Sequence, residues 1–179
     1  AKNFNGLIIS FPYDEKISPN GLINEGAVST KLGLKGIPDL SEELMINRDL
    51  SINKYHEGRL HFNILSSKNS LEQIEVAKKT QNNLSCGTSI FHLLFDDEII
   101  NQFDNRFKIL PPFRTKEDRN ALLEGVKNGT IDVITSYHQP NEKERTNVEF
   151  SLTPFGSIGT QVCFPLALTY LKEYIGLEK

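Results

Sequence analysis

Residues 115–136 read TKEDRNALLEGVKNGTIDVITS, and this run decides the fold class. Thr115 opens a helix, because its hydroxyl can accept a first-turn N–H that has no partner inside the helix. Ala121, Leu122 and Val126 then form an apolar stripe, and Asn128-Gly129 supplies the left-handed stop that ends it. The short β-branched run 131–136 (IDVITS) follows as a buried strand. A capped helix, a glycine stop and a buried strand are the repeating parts of a parallel α/β fold.

The same parts recur upstream. Residues 6–11 (GLIISF) read as a buried strand ended by Pro12, followed by a loop rich in Gly, Pro and Asn. Asp39-Leu-Ser-Glu42 is a capping signature for an amphipathic helix reaching about Tyr55. Residues 59–66 (RLHFNILS) are a strand, Ser70-Leu-Glu-Gln73 is a second capping signature, and 84–90 is a third strand. Residues 92–102 read as helical, and 107–112 as extended, since a residue before proline leaves the α region. After a charged loop over 139–149, 159–175 reads as one long apolar helix. There are about four or five strand–helix units, the pattern of a parallel sheet covered by helices. A TIM (β/α)8 barrel needs eight units and about 250 residues, so a chain of 179 holds part of one. Such a piece exposes two parallel edge strands. The chain begins without Met and runs at once into an apolar strand, which reads as the middle of something longer.

Composition removes several classes of function. Twenty basic and 23 acidic residues are mixed along the chain for a net charge of -3, so no basic stripe invites nucleic acid. No apolar run approaches the roughly 18 residues of a membrane span, and the start is no signal peptide, so a cytoplasmic protein is expected. Cys86 and Cys163 show neither a CxxC spacing nor a disulfide framework and are expected to be buried thiols.

In a barrel, chemistry sits where strands stop. Residues 129–141 (GTIDVITSYHQPN) resemble the dihydroorotase strand that ends Asp-His-Ala-Pro-His; His138 and Pro140 match. Tyr137 stands at the Asp, which in that family binds metal and handles the proton, and Asn141 stands at the last His, which holds substrate. Residues 108–125 (KILPPFRTKEDRNALLEG) resemble the family's Asn-Pro-Pro-Leu-Arg segment, with Leu110 at the pocket Asn. Residues 59–70 (RLHFNILSSKNS) resemble the strand ending His-Val-Ser-Thr, with Ile64 at a zinc-ligand His. Residues 86–93 (CGTSIFHL) resemble Thr-Pro-His-His-Leu, with Phe91 at the ligand and His92 retained. The first strand end keeps only Asp14 of His-x-Glu-Asp. Further similar stretches are Asn24-Glu-Gly26, 33–38, Glu42-Glu43 with Arg48-Asp49, and 154–159, so the resemblance covers nearly the whole chain.

The resemblance implies a partial TIM barrel of the metal-dependent-hydrolase type, with residues 1–179 forming its central to C-terminal part. Zinc is the family's metal, yet Ile and Phe offer no lone pair and neutral Tyr is a poor ligand. No cofactor is therefore expected in this chain, His92 and His138 being the weak residual candidates. The family's His-x-His pair and modified Lys have no counterpart here and would lie upstream of Ala1. Three functions follow: a non-catalytic homologue partnering aspartate transcarbamoylase or a homologous subunit, in a homo-oligomer; an active cyclic amidohydrolase with a rearranged metal site using His92 and His138; or a pocket that binds a small molecule without chemistry. Beside these stand plainer expectations. His92 and His138 pack through hydrogen bonds, His61 and His56 serve core or solvent roles, and Asp14, Asp132 and the Glu42-Glu43 pair serve helix dipoles. Arg114 and Arg119 form structural ion pairs within their own βα unit.

Overall fold

The computed structural model describes residues 2–176. Its strands are β1 (Leu7–Ser10), β2 (Ile23–Asn24), β3 (Gly36–Ile37), β4 (Arg59–Phe62), β5 (Leu84–Ser89) and β6 (Val133–Thr135). The main helices are α1 (Ala27–Leu32), α2 (Leu40–His56), α3 (Lys68–Lys78), α4 (Ile90–Leu94) and α5 (Lys116–Asn128). Strands β1, β4, β5 and β6 form one sheet in that order, every pair parallel. Parallel neighbours need a crossover, and the intervening helices supply it.

Register explains where the core lies. Leu60 pairs with Leu84 and Phe62 with Cys86, so these four side chains share one face of the sheet. That face is buried with Ile46 of α2, Ile74 of α3 and Leu122 of α5. At the β1 edge cover is missing: Leu7, Ile8 and Ile9 are 47%, 48% and 65% exposed. A cavity of about 620 Å³ lies beside this edge, between β1 and Ile52 and His56 of α2. No helix among the described residues is long and apolar enough to cross a membrane.

The helix and its stop in the decisive run form as the residues dictate, but the strand expected to be buried is half exposed, Val133 at 44%, because β6 is the last strand of the described sheet. Thr115 Oγ1 accepts the Asp118 N–H at 3.3 Å, the Asp118 carboxylate takes the Thr115 N–H at 3.1 Å, and Gly129 stops the helix at φ 84°. Elsewhere tertiary bonds moved the boundaries. The α3 cap is Ser67, whose Oγ accepts the Ser70 N–H at 3.2 Å, so Ser70 lies inside the first turn and is not the cap. Asp39 makes no side-chain cap to α2. The single helix expected over 92–102 is two: Ser89 caps α4, Phe95 is extended, and a 3-10 turn, Asp97–Gln102, begins where the Asp97 N–H is drawn to the Arg114 carbonyl at 2.8 Å. The stretch 159–175 turns helical only at Cys163 and contains a π segment, Ala167–Leu171. The pair β2–β3 and helix α1 form inside what the sequence presents as loop.

Candidate functional site

Beyond the carboxyl ends of β4, β5 and β6 the chain places apolar or backbone-bonded groups. Ile64, Phe91 and Tyr137 are 3%, 8% and 5% exposed and belong to one apolar cluster. Phe91 packs under the turn at Gly159, where its ring lies 3.2 Å from the position a Cβ would occupy.

Tyr137 sits at φ 48°, a left-handed conformation uncommon outside glycine, immediately after β6. Its phenol donates to the Leu110 carbonyl at 2.5 Å and accepts the Leu110 N–H at 3.0 Å. Burial pushes this phenol up to about 12, so it is neutral at physiological pH and both its hydrogen-bonding capacities serve the backbone of Leu110. Leu110 itself is half-buried.

His92 is buried in the first turn of α4. Its Nε2 lies 3.0 Å from the Pro111 carbonyl, which can only accept, so Nε2 carries the proton and Nδ1 accepts from Ser89 Oγ at 2.7 Å. Burial lowers its pKa to about 4. The ring stands 5.5 Å from Phe113 and 6.5 Å, edge-on, from Tyr137. His138 is exposed and accepts the Gly159 N–H on Nδ1 at 3.3 Å, while Asn141 donates to the Phe155 carbonyl at 3.1 Å. The candidates Tyr137, His138, Asn141 and His92 are thus brought together on the segments around 110 and 155–159, each holding backbone. Among the described residues no three His, Cys, Asp or Glu side chains gather in a group that could hold a metal ion.

Two polar constructions were not read from the sequence. Glu42 and Arg114 are buried. The Glu42 carboxylate receives the Ser66 N–H at 3.1 Å, the Ser67 N–H at 3.3 Å and the Ser66 hydroxyl, and burial raises its pKa despite the Arg114 charge. Arg114 Nε donates to the same Ser66 Oγ at 3.1 Å, and Nη1 donates to Asn24 Oδ1 at 2.9 Å and the Ile37 carbonyl at 2.6 Å. The second construction is Lys108, whose buried ammonium donates to the carbonyls of Phe150 (2.8 Å) and Ser151 (3.2 Å) and lies 5.3 and 5.2 Å from the rings of Phe150 and Phe155. Desolvation lowers its pKa. Both replace lost hydration with fixed hydrogen-bond partners, which a buried charge requires.

Several plainer expectations change accordingly. Glu42, in the first turn of α2, also turns into the core onto Ser66 and Ser67, and Arg114 reaches Asn24 and Ile37, far outside its own unit. Arg119 pairs with Asp96 at 2.8 Å, across to the segment before the 3-10 turn. Asp132 binds Lys78 (2.6 Å) and the Cys86 N–H (2.8 Å), knitting α3 to β5, and Asp14 accepts the Lys16 N–H at 3.0 Å. His61 is half-buried against Ser85 (2.8 Å), and His56 stands edge-on to Tyr55. Cys86 is buried, its thiol pushed up to about 12, whereas Cys163 is only partly buried. Near the strand ends a cavity of about 490 Å³ remains, lined by Asn105, Arg106, Asn141, Thr146, Gly156 and Ser157 among others.

No protein-family model matches the chain. It is 39% identical over 168 residues to a dihydroorotase of Acetivibrio thermocellus, covering 94% of this chain and 39% of that protein. A dihydroorotase of Caldicellulosiruptor saccharolyticus is 38% identical over 178 residues, with 99% and 41% covered. The chain spans about two fifths of the length of the curated relatives it matches. Among solved structures, an L-hydantoinase (dihydropyrimidinase) from Arthrobacter aurescens superposes with a TM-score of 0.82 at 21% identity, over 99% of this chain and 41% of that one. Such neighbours are TIM barrels, and the four-stranded parallel sheet is part of that fold.

Proposed function

We propose that this chain, which belongs to the dihydroorotase family, is the central to C-terminal part of a barrel that no longer hydrolyses and serves as a structural partner in pyrimidine biosynthesis. The observation that carries this reading is Tyr137. At the position where the resemblance implies a metal-binding, proton-handling Asp stands a neutral phenol committed to both polar groups of Leu110. Ile64 and Phe91, at two implied zinc-ligand positions, are buried in apolar packing. This donor set does not fit zinc, which takes imidazole, carboxylate or thiolate. Of the two retained histidines, His92 has both ring nitrogens engaged and His138 accepts the Gly159 N–H on Nδ1.

Without a metal, water keeps a pKa of about 15.7 in place of about 7, and no hydroxide is available at neutral pH. The retained barrel suits a cytoplasmic scaffold, in a homo-oligomer or bound to aspartate transcarbamoylase or a homologous subunit. The purified complete protein, assayed with dihydroorotate, is expected to give no turnover and to co-purify stoichiometrically with such a partner. Turnover of dihydroorotate would overturn the proposal in favour of a rearranged active site.

A further inference from the structure

Between β1 and α2 the chain leaves the sheet and returns, and residues 18–37 of this excursion hold β2, α1 and β3. Their main-chain bonds are internal: Leu22 N–H to the Lys35 carbonyl at 2.8 Å, Glu25 to Ile37 at 3.1 Å and Leu34 to Ser29 at 3.0 Å. Strands β2 and β3 pair only with each other, over two residues each. Among the described residues no main-chain hydrogen bond joins 18–37 to the rest of the fold. So small a parallel pair has little stability of its own.

Attachment comes from apolar packing, with Ile23 and Ile37 buried and Leu22, Val28, Leu32 and Leu34 partly buried against the core, and from one buried guanidinium. Arg114 Nη1 spans the pair, taking Asn24 Oδ1 on β2 and the Ile37 carbonyl on β3, while Nε reaches Ser66 beyond β4, and Ser66 donates in turn to Glu42. Asn24 completes the link with a bond to Asp97 Oδ2 at 2.8 Å. Among the described residues the one other polar tie is the exposed Lys31 to Asn101 at 3.0 Å. A planar fork with five donors can make this set of bonds at once; a single ammonium cannot. Leu22, Ile23 and Asn24 lie against Ile109, Pro112 and Phe113, on the segment whose Leu110 and Pro111 hold Tyr137 and His92.

We infer that residues 18–37 form a strap clamped on the strand ends by Arg114, able to open as one unit while the sheet and its helices stay folded. Regions with few main-chain ties to the body open below the global unfolding free energy, and a clamp made by one side chain sets that opening.

The test is hydrogen exchange read by mass spectrometry on the complete protein and its Arg114→Met and Arg114→Lys variants. Both are expected to speed exchange of the Leu22, Glu25 and Leu34 amides at least about tenfold, with α3 and α5 unchanged. Trypsin should then cut at Lys31 or Lys35 before any site in α3. Unchanged exchange in the strap, or equal acceleration of α3 and α5, overturns the inference. If Arg114 variants do not fold, Asn24→Ala removes the β2 half of the clamp and its bond to Asp97 while leaving Arg114 on Ile37 and Ser66; the same two patterns decide.

Discussion

Replacing Tyr137 by Phe removes one oxygen and leaves the ring packed against His92. The Leu110 carbonyl and N–H then lose partners at 2.5 and 3.0 Å. A buried polar group left without a partner costs about 1–3 kcal/mol. Leu110 is half-buried, which admits some water and places each loss at the low end, so the pair sums to about 2 kcal/mol. Urea unfolding of the complete protein, followed by circular dichroism, should show a lower midpoint at unchanged slope, since the exposed surface is the same. Zinc content should be unchanged. A loss below about 0.5 kcal/mol, the range of a surface change, would refute the claim that this phenol is a packing element.

Other expectations follow from the same geometry. Burial holds His92 at about 4 in the fold, against about 6.5 in the unfolded chain. Its contribution to stability is complete above about pH 6.5 and is lost as pH falls towards 4, by about 3 kcal/mol. Glu42, raised by burial, acts in the opposite sense, adding stability on the acid side that is lost as pH rises through its folded value, so the His92→Gln variant must be compared over one buffer series. A slope between pH 4 and 6.5 identical in both proteins would contradict the buried neutral ring. Gly159→Ala should destabilise by more than about 3 kcal/mol, because a Cβ there overlaps the Ser136 carbonyl and crowds Phe91; a thermal midpoint within error of the parent would show that the turn yields. Thr115→Ala should cost about 1 kcal/mol through loss of the α5 cap, and Thr115→Ser should restore most of it in the same melt.

What the sequence conveyed was mostly local. Thr115, Asp118 and Gly129 carry their instructions within a few residues, and β4, β5 and β6 announce themselves as short apolar runs, so the parallel architecture was legible. Ser67 and Ser70 could not be ranked as caps from sequence, because the choice turns on where β4 lets go of its neighbours. Glu42 read as a helix-dipole charge and Arg114 as half of an ion pair within its own βα unit. Their burial depends on Ser66, Asn24 and Ile37, which are up to 90 residues distant along the chain and are brought in by the fold. Strand β3 needed β2 as a partner and was invisible without it. At the candidate site the resemblance located Ile64, Phe91, Leu110 and Tyr137, but the closure of Tyr137 on Leu110 is a tertiary contact that no motif encodes.

The most direct test is the zinc content of the complete protein, purified without chelator from zinc-supplemented cells and measured by plasma mass spectrometry. Less than about a tenth of an equivalent per chain is expected, because zinc requires imidazole, carboxylate or thiolate donors and the strand ends present Ile64, Phe91 and a neutral Tyr137. One equivalent or more, retained through gel filtration, would contradict it.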